Sequence, residues 1–345
     1  MLHTRFTSQG RRRPSHMRPQ QCGALFAAVL LSGGFLFALF RYMVVWDVHA
    51  AVQSSPSPSP SATPVVLSSP PSVSPAPTVL VAEAATPTPS PTPIPEPILL
   101  SDAENGLWSY SCAEYQLEIE RTQPLDNVVA TVAVLSDYAP GTVTSAFAEG
   151  QYGLNVRART SDIAQSAGVL FAINGDYCGY RSDGIIVRGG EVYRNKPARC
   201  MMAIYSDGRM ELVEESEADL DAMLADGLQD TYSFGPVLVE DGQVPEHIST
   251  DVPSDNPRTA VGQREDGSFV FVVVDGRQSA SEGMDIHELA EYMLSLGCVN
   301  AYNLDGGMTS CMYFNGEVIS SPCGTAGRER TVSDILCIYP SAQEP

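Results

Sequence analysis

The chain is poor in the side chains from which most hydrolytic and metal centres are built. It has only five histidines, and His3, His16 and His49 lie in its first fifty residues. The other two, His247 and His287, stand at no zinc-site spacing from the cysteines. No CxxC, no GxSxG and no EF-hand loop occurs, so the sequence carries no motif for a zinc knuckle, a nucleophile-elbow serine or a dedicated calcium loop. No internal repeat with a period of about 20–50 residues is apparent. Basic residues are scarce too. From Ser101 to Pro345 there are 14 against 38 acidic ones, a formal net charge of −24. Such a field repels polyanions in bulk and argues against nucleic acid as a partner.

What is present divides the chain into unlike parts. Arg5, Arg11, Arg12, Arg13 and Arg18 precede an uncharged apolar run from Cys22 to Phe40. At about 1.5 Å per residue such a run just crosses a hydrocarbon core of roughly 30 Å. Residues 1–21 therefore read as a cytoplasmic basic tail and residues 22–46 as a transmembrane signal-anchor, with everything downstream exported. Val48-His49-Ala50 offers a small-residue cleavage site, but the length of the apolar run favours an uncleaved anchor. Residues 47–100 follow as a linker. Of the chain's 26 prolines, 14 fall between Pro56 and Pro97, a composition that cannot bury a core and favours a semi-rigid polyproline II spacer. The expected location is the cell membrane, single-pass, with the domain at 101–345 extracytoplasmic. That domain holds seven of the eight cysteines, an odd number. An oxidising compartment allows several of them to pair, in an order the spacing does not reveal, but does not require it, since cysteines also serve as ordinary buried residues.

Within the domain, strands are expected at Asn127–Leu135, Val169–Ile173, Arg258–Gln263, Ser268–Val274, Val299–Asn303 and Val332–Ile338. Hairpins are expected around Gly189-Gly190 and around Asp207-Gly208. Asp285 and Glu288 can form a capping box, and the apolar stripe Ile286, Leu289, Ala290, Met293, Leu294 reads as a helix ending at Gly297. Many hairpins and few helices predict an α+β fold with a mixed, strand-rich sheet core.

Three apolar strands end in polar residues and glycine: Asn174-Gly175-Asp176, Asp275-Gly276-Arg277 and Asn303-Leu304-Asp305-Gly306-Gly307. A buried strand delivers its terminal side chains with precision, and glycine lets a ligand approach the backbone. Each Asp-Gly alone reads as a turn; their recurrence at the ends of the most apolar strands points to a site. Arg258 opens a strand after Asn256-Pro257, where a guanidinium could grip a phosphate with two parallel bonds or serve in a structural ion pair.

These stretches, with Phe314-Asn315-Gly316 and Arg328-Glu329-Arg330, resemble the phosphodiester glycosidase family over Leu170–Tyr339. The resemblance implies hydrolysis of a sugar-1-phosphodiester. It makes Asp305 and Asp275 the candidate base or nucleophile and its partner, and Arg258 the phosphate contact. It makes Asn174, Gly175, Asp176, Arg277, Asn303, Gly306, Gly307, Thr309 and Arg330 substrate-binding candidates. The chain departs from the family pattern at Met308-Thr309 and at Ser320–Gly324, both in presumed substrate loops. Should a cation be held, oxygens of Asp176, Asp275 and Asp305 suit calcium or magnesium. Two other classes stay open at this level: a non-catalytic polysaccharide-binding module and a metal-dependent phosphodiesterase.

Overall fold

The computed structural model describes residues 96–252 and 254–341. The expected span at 22–46 and nearly all of the proline-rich linker lie outside these residues. Among the described residues no helix is long and apolar enough to cross a membrane.

Strands β1 (Ile98–Asp102), β2 (Leu107–Ser111), β3 (Gln116–Leu125) and β4 (Val128–Ser136) form a meander, so the first strand takes in the last three residues of the expected linker. Then come β5 (Val143–Phe147), helix α1 (Thr160–Ala167) and β6 (Phe171–Asn174). The hairpin β7 (Gly184–Arg188) and β8 (Glu191–Lys196) precedes β9 (Cys200–Tyr205) and β10 (Met210–Glu214). A short helix, α2 (Leu220–Ala225), leads to β11 (Leu228–Tyr232) and β12 (Val237–Val239). A second hairpin, β13 (Arg258–Arg264) and β14 (Phe269–Val274), is followed by helix α3 (Ile286–Ser295) and β15 (Cys298–Asn303). Strands β16 (Met312–Phe314), β17 (Glu317–Val318) and β18 (Asp334–Ile338) complete the domain.

The large sheet has the order β1-β2-β3-β4-β14-β13-β15-β12, and a five-stranded sheet has the order β17-β16-β6-β18-β5. Every strand pair is antiparallel, which corrects the expected mixed sheet. The reason lies in one insertion. Strands β14 and β15 run the same way, joined by α3, but β13 sits between them and opposes both.

Strand β14 shows how the layers are built. Its sequence FVFVVV is buried along its whole length. Phe269, Phe271 and Val273 enter the core between the two sheets, whereas Val270, Val272 and Val274 meet the helix side. Large aromatic rings fill the gap between sheets; Phe271 meets Phe171 of the smaller sheet at a ring-centre distance of 5.2 Å. Ile286, Leu289, Ala290 and Met293 of α3 cover the outer face of the large sheet, and α1 covers the smaller one. The capping box of α3 forms as expected: Asp285 accepts from the amides of His287 and Glu288 at 2.8 Å each, and Glu288 accepts from the Asp285 amide at 2.9 Å.

Antiparallel register then brings distant strand ends to one edge. Arg258 pairs with Val274, and Ala260 pairs with Asn303, so the start of β13 lies between the ends of β14 and β15. In the smaller sheet Asn174 pairs with Ile335, which sets the end of β6 beside Asp334.

Candidate active site

At this edge lies a cavity of about 590 Å³. Asn303 to Gly307 form one wall, Asn256 to Arg258 another, and Arg181, Arg199, Phe234 and Arg277 contribute side chains. Asp305 is 6 % exposed. Its Oδ1 accepts from the Gly306 amide at 3.0 Å, while its Oδ2 has no partner. Burial raises its carboxyl to about 6, against the opposing pull of Thr309 and Arg330. Two further buried polar atoms on the same cavity lack partners, Oδ1 of Asn303 and Nη1 of Arg181. Buried polar atoms are nearly always hydrogen-bonded, so two acceptors and one donor left open around one hollow mark a ligand site.

The other expected residues fall into distinct places. Gly306 and Gly307 line the cavity; Gly307 has φ of +69°, a backbone that glycine tolerates, and its amide donates to Pro257 at 2.8 Å. Arg277 lines it as well, steered by hydrogen bonds from Nε and Nη2 to Asn256 Oδ1. Thr309 is buried behind the loop and donates to the Gly306 carbonyl at 2.7 Å. Asn174 lies beneath the cavity and stitches the two sheets together. Its Nδ2 donates to the Asp305 carbonyl at 2.6 Å, and its Oδ1 accepts from Thr259 Oγ1 and the Cys311 amide. With both ends of its amide spent on the protein, Asn174 positions Asp305 and has no group free for a sugar.

Arg258 also departs from its expected part. Nε donates to the Met284 carbonyl at 3.0 Å, and Nη2 donates to the carbonyls of Val252 and Ser254, each at 2.8 Å. It clamps the loop that forms a cavity wall, which leaves only Nη1 of this cavity-lining residue without a protein partner. Asp275 does not line the cavity. Its Oδ1 accepts from the Ser321 amide at 2.8 Å, and its carbonyl accepts from Ser281 Oγ, beside a separate hollow of about 440 Å³. Burial raises its carboxyl. Arg330 stands outside the lining, over the rings of Tyr177 and Tyr180.

The expected cation ligands do not come together. Among the described residues the buried ligand cluster is Asp176, Cys178 and Asp334, with Asp275 and Asp305 elsewhere. That cluster already holds a cation of the protein's own. The guanidinium of Arg188 bonds Asp334 Oδ2 through Nε and Nη2 and stands 3.9 Å from Asp176 Oδ2. Asp176 Oδ2 accepts from the Ser233 amide, and its Oδ1 has no partner. A Cβ on Gly175 would sit on the Asp334 carboxylate, so this glycine serves the ion pair and not a ligand. A metal among these oxygens would have to displace Arg188, and the residues therefore do not fit a metal centre.

Sequence reasoning missed Arg188 and Asp334, although the signal was there: one charge in the otherwise apolar GIIVR strand and another opening DILCI. Arg181, Arg199 and Phe234 carried no local signal. None of the seven cysteines is disulfide-bonded. Cys178, Cys298, Cys311 and Cys337 are buried as small apolar side chains instead.

Comparison with known proteins bears on this geometry. A family model described as phosphodiester glycosidase matches residues 167–339, half of the chain. The chain belongs to the phosphodiester glycosidase family. Among relatives of this phosphodiester glycosidase domain, a prophage-derived uncharacterized protein of Bacillus subtilis is 32% identical over 204 residues, covering 55% of this chain and 31% of that protein. The bovine N-acetylglucosamine-1-phosphodiester alpha-N-acetylglucosaminidase is 28% identical over 214 residues, covering 55% of this chain and 40% of the enzyme. The chain thus spans less than half the length of these curated relatives. The zebrafish form of that enzyme, solved as a catalytic domain auto-inhibited by its pro-peptide, shares the fold. Its TM-score is 0.55 at 23% identity, over 66% of this chain and 83% of that structure.

Proposed function

We propose that this protein is an extracytoplasmic glycosidase that hydrolyses a sugar-1-phosphodiester in envelope polysaccharide or glycoconjugate metabolism, held at the membrane through residues 22–46. The observation that carries the reading is the pairing, in one cavity of an acidic domain, of an open, raised aspartate with the guanidinium groups of Arg181 and Arg277. A phosphodiester brings a negative charge, a sugar brings hydroxyls, and the cavity offers a complement to both.

The chemistry follows from the leaving group. A phosphate monoester departs readily from the anomeric carbon with little protonation, so the site needs charge stabilisation on one side and a base on the other. In this reading Arg181 and Arg277 stabilise the departing phosphate. Asp305 Oδ2 takes a proton from the water that attacks the anomeric carbon; the C–O bond to phosphate breaks and its electron pair leaves with the phosphate oxygen. Asn303 Oδ1 accepts from a sugar hydroxyl. Asn174 holds the Asp305 main chain, and Arg258 holds the loop opposite.

The test is hydrolysis of an N-acetylglucosamine-1-phosphodiester in oxygen-18 water. Label in the released sugar is the expected result. Label in the phosphate would mean P–O cleavage and overturn the reading, and binding without any turnover would leave a carbohydrate-binding module in its place.

A further inference from the structure

We infer that the substrate is a polymer carrying more than one phosphodiester, and that Arg157 and Arg330, joined to the cavity through Arg181, form a strip which holds the next phosphate beyond the cavity. The inference rests on the proposed reaction for its ligand class, and on geometry outside the cavity for its content.

Tyr177 and Tyr180, just after the Asn174-Gly175-Asp176 turn, stack with ring centres 4.2 Å apart and planes 6° from parallel. Arg157 lies over Tyr180 at 4.4 Å from its ring centre. Arg330 lies 5.1 Å from Tyr180 and 5.7 Å from Tyr177, and its Nη2 donates to the Tyr177 hydroxyl. Arg181 lies over Tyr177 and over Phe234, and both Arg181 and Phe234 line the cavity. The stack therefore continues from the cavity mouth without a break. The ring faces are taken by one another and by guanidinium groups, so sugars cannot stack on the tyrosines. What the strip presents is guanidinium edges.

Among the described residues Arg157, Arg181 and Arg330 have no carboxylate within 4.0 Å, as is also true of Arg121, Arg159, Arg194, Arg258, Arg264, Arg277 and Arg328, whereas Arg188, Arg199 and Arg209 are paired; what sets the three apart is that they gather around one tyrosine pair. In a domain with 38 acidic residues, carboxylates to pair them are abundant. Three guanidinium groups set around one tyrosine pair repel each other, and their positive field reaches Tyr180: burial raises its phenol, but the charges of Arg157 and Arg330 help bring it below the usual range. A bidentate anion relieves that repulsion, and phosphate is the anion that planar guanidinium forks fit. All three side chains remain partly exposed, as a ligand strip requires.

The experiment compares two ligands by calorimetry on the full chain carrying Asp305→Asn, so that turnover does not contribute. One is a three-unit oligomer of α-linked N-acetylglucosamine-1-phosphate; the other is the single-unit methyl diester. The oligomer is expected to bind about tenfold more tightly, with the difference shrinking as salt rises. Arg157→Ala is expected to bring the ratio of the two affinities close to one, and Arg157→Lys to keep part of it. Equal affinities for the two ligands, or an unchanged ratio in Arg157→Ala, overturn the strip. Inorganic polyphosphate or an oligonucleotide binding as tightly as the oligomer overturns the assignment to sugar phosphates. Failure of the unsubstituted enzyme to cleave either ligand would sink the proposed reaction and leave this ratio measurable.

Discussion

Asp305 and Asp334 begin from the same physics and end in opposite roles. Both are buried at a strand end of the same domain edge, and burial pushes both carboxyls upward. At Asp334 the protein supplies every partner: Arg188 bonds Oδ2, and the Asp176 amide donates to Oδ1 at 3.0 Å. At Asp305 it supplies only the Gly306 amide and leaves Oδ2 open to a cavity. A closed carboxylate is a brace; an open one retains free energy that a ligand can draw on. Burial alone therefore does not mark a functional aspartate. An unpartnered atom facing the cavity does, since Asp176 Oδ1 is also buried and unpartnered but lies outside that cavity.

The largest effect that tests this contrast is on turnover. Asp305→Asn keeps shape and burial but removes the base, so kcat/KM should fall by about 10²–10⁴-fold. Activity of the unsubstituted chain should also fall as pH drops through about 6, where Asp305 takes up a proton. A pH–rate profile flat from pH 5 to 7, or near-normal activity in the variant, would assign the chemistry elsewhere.

The brace is tested through stability. Arg188→Met leaves Asp334 and Asp176 buried without their counter-charge and should cost about 3–5 kcal/mol. A urea midpoint shifted at constant slope is the readout. A midpoint within experimental error of the parent would show that the pair supports nothing.

The smallest effect has the opposite sign. A carboxyl that titrates at about 6 when folded, against 3.8 in an open chain, binds its proton more tightly in the folded state. That costs no stability well below pH 3.8, where both states are protonated. The folded state then loses stability as pH rises from about 4 to 6, on the order of 2–3 kcal/mol in all. Asp305→Asn should therefore be more stable than the parent at pH 8 and nearly equal to it well below pH 3.8. Thermal melts showing a lower midpoint for the variant at pH 8 would mean that Asp305 has a partner after all.

Much of the fold was legible because local rules and tertiary packing agree. The capping box at Asp285 and the apolar stripe of α3 need only residues within one helix. The run FVFVVV reads as a strand buried on both faces. Strand β3 was missed although its signal was printed in the chain: Leu117 and Ile119 are buried while Glu118 and Glu120 are exposed, a period of two. Many hairpins and few helices predict a mixed sheet, but β14 and β15, parallel across α3, do not pair with each other. That β13 inserts between the two strands is decided by packing and not by any local pattern.

The same division holds at the site. Polar residues and glycine at strand ends marked Asp305, Asn303, Gly306 and Gly307 from the sequence alone, because a strand must end somewhere and its last side chains have a defined direction. Asn174 and Asp275 carried the same mark, yet the amide of Asn174 is spent on the protein itself and Asp275 lies off the cavity. Whether a polar atom is satisfied depends on what folds against it from far along the chain, such as Ser321 on Asp275 or Met284 on Arg258. Residue type and spacing determined which side chains could act. Only the meeting of two sheets determined which of them were left free to do so, since hydrogen-bond partners are set by contacts in space.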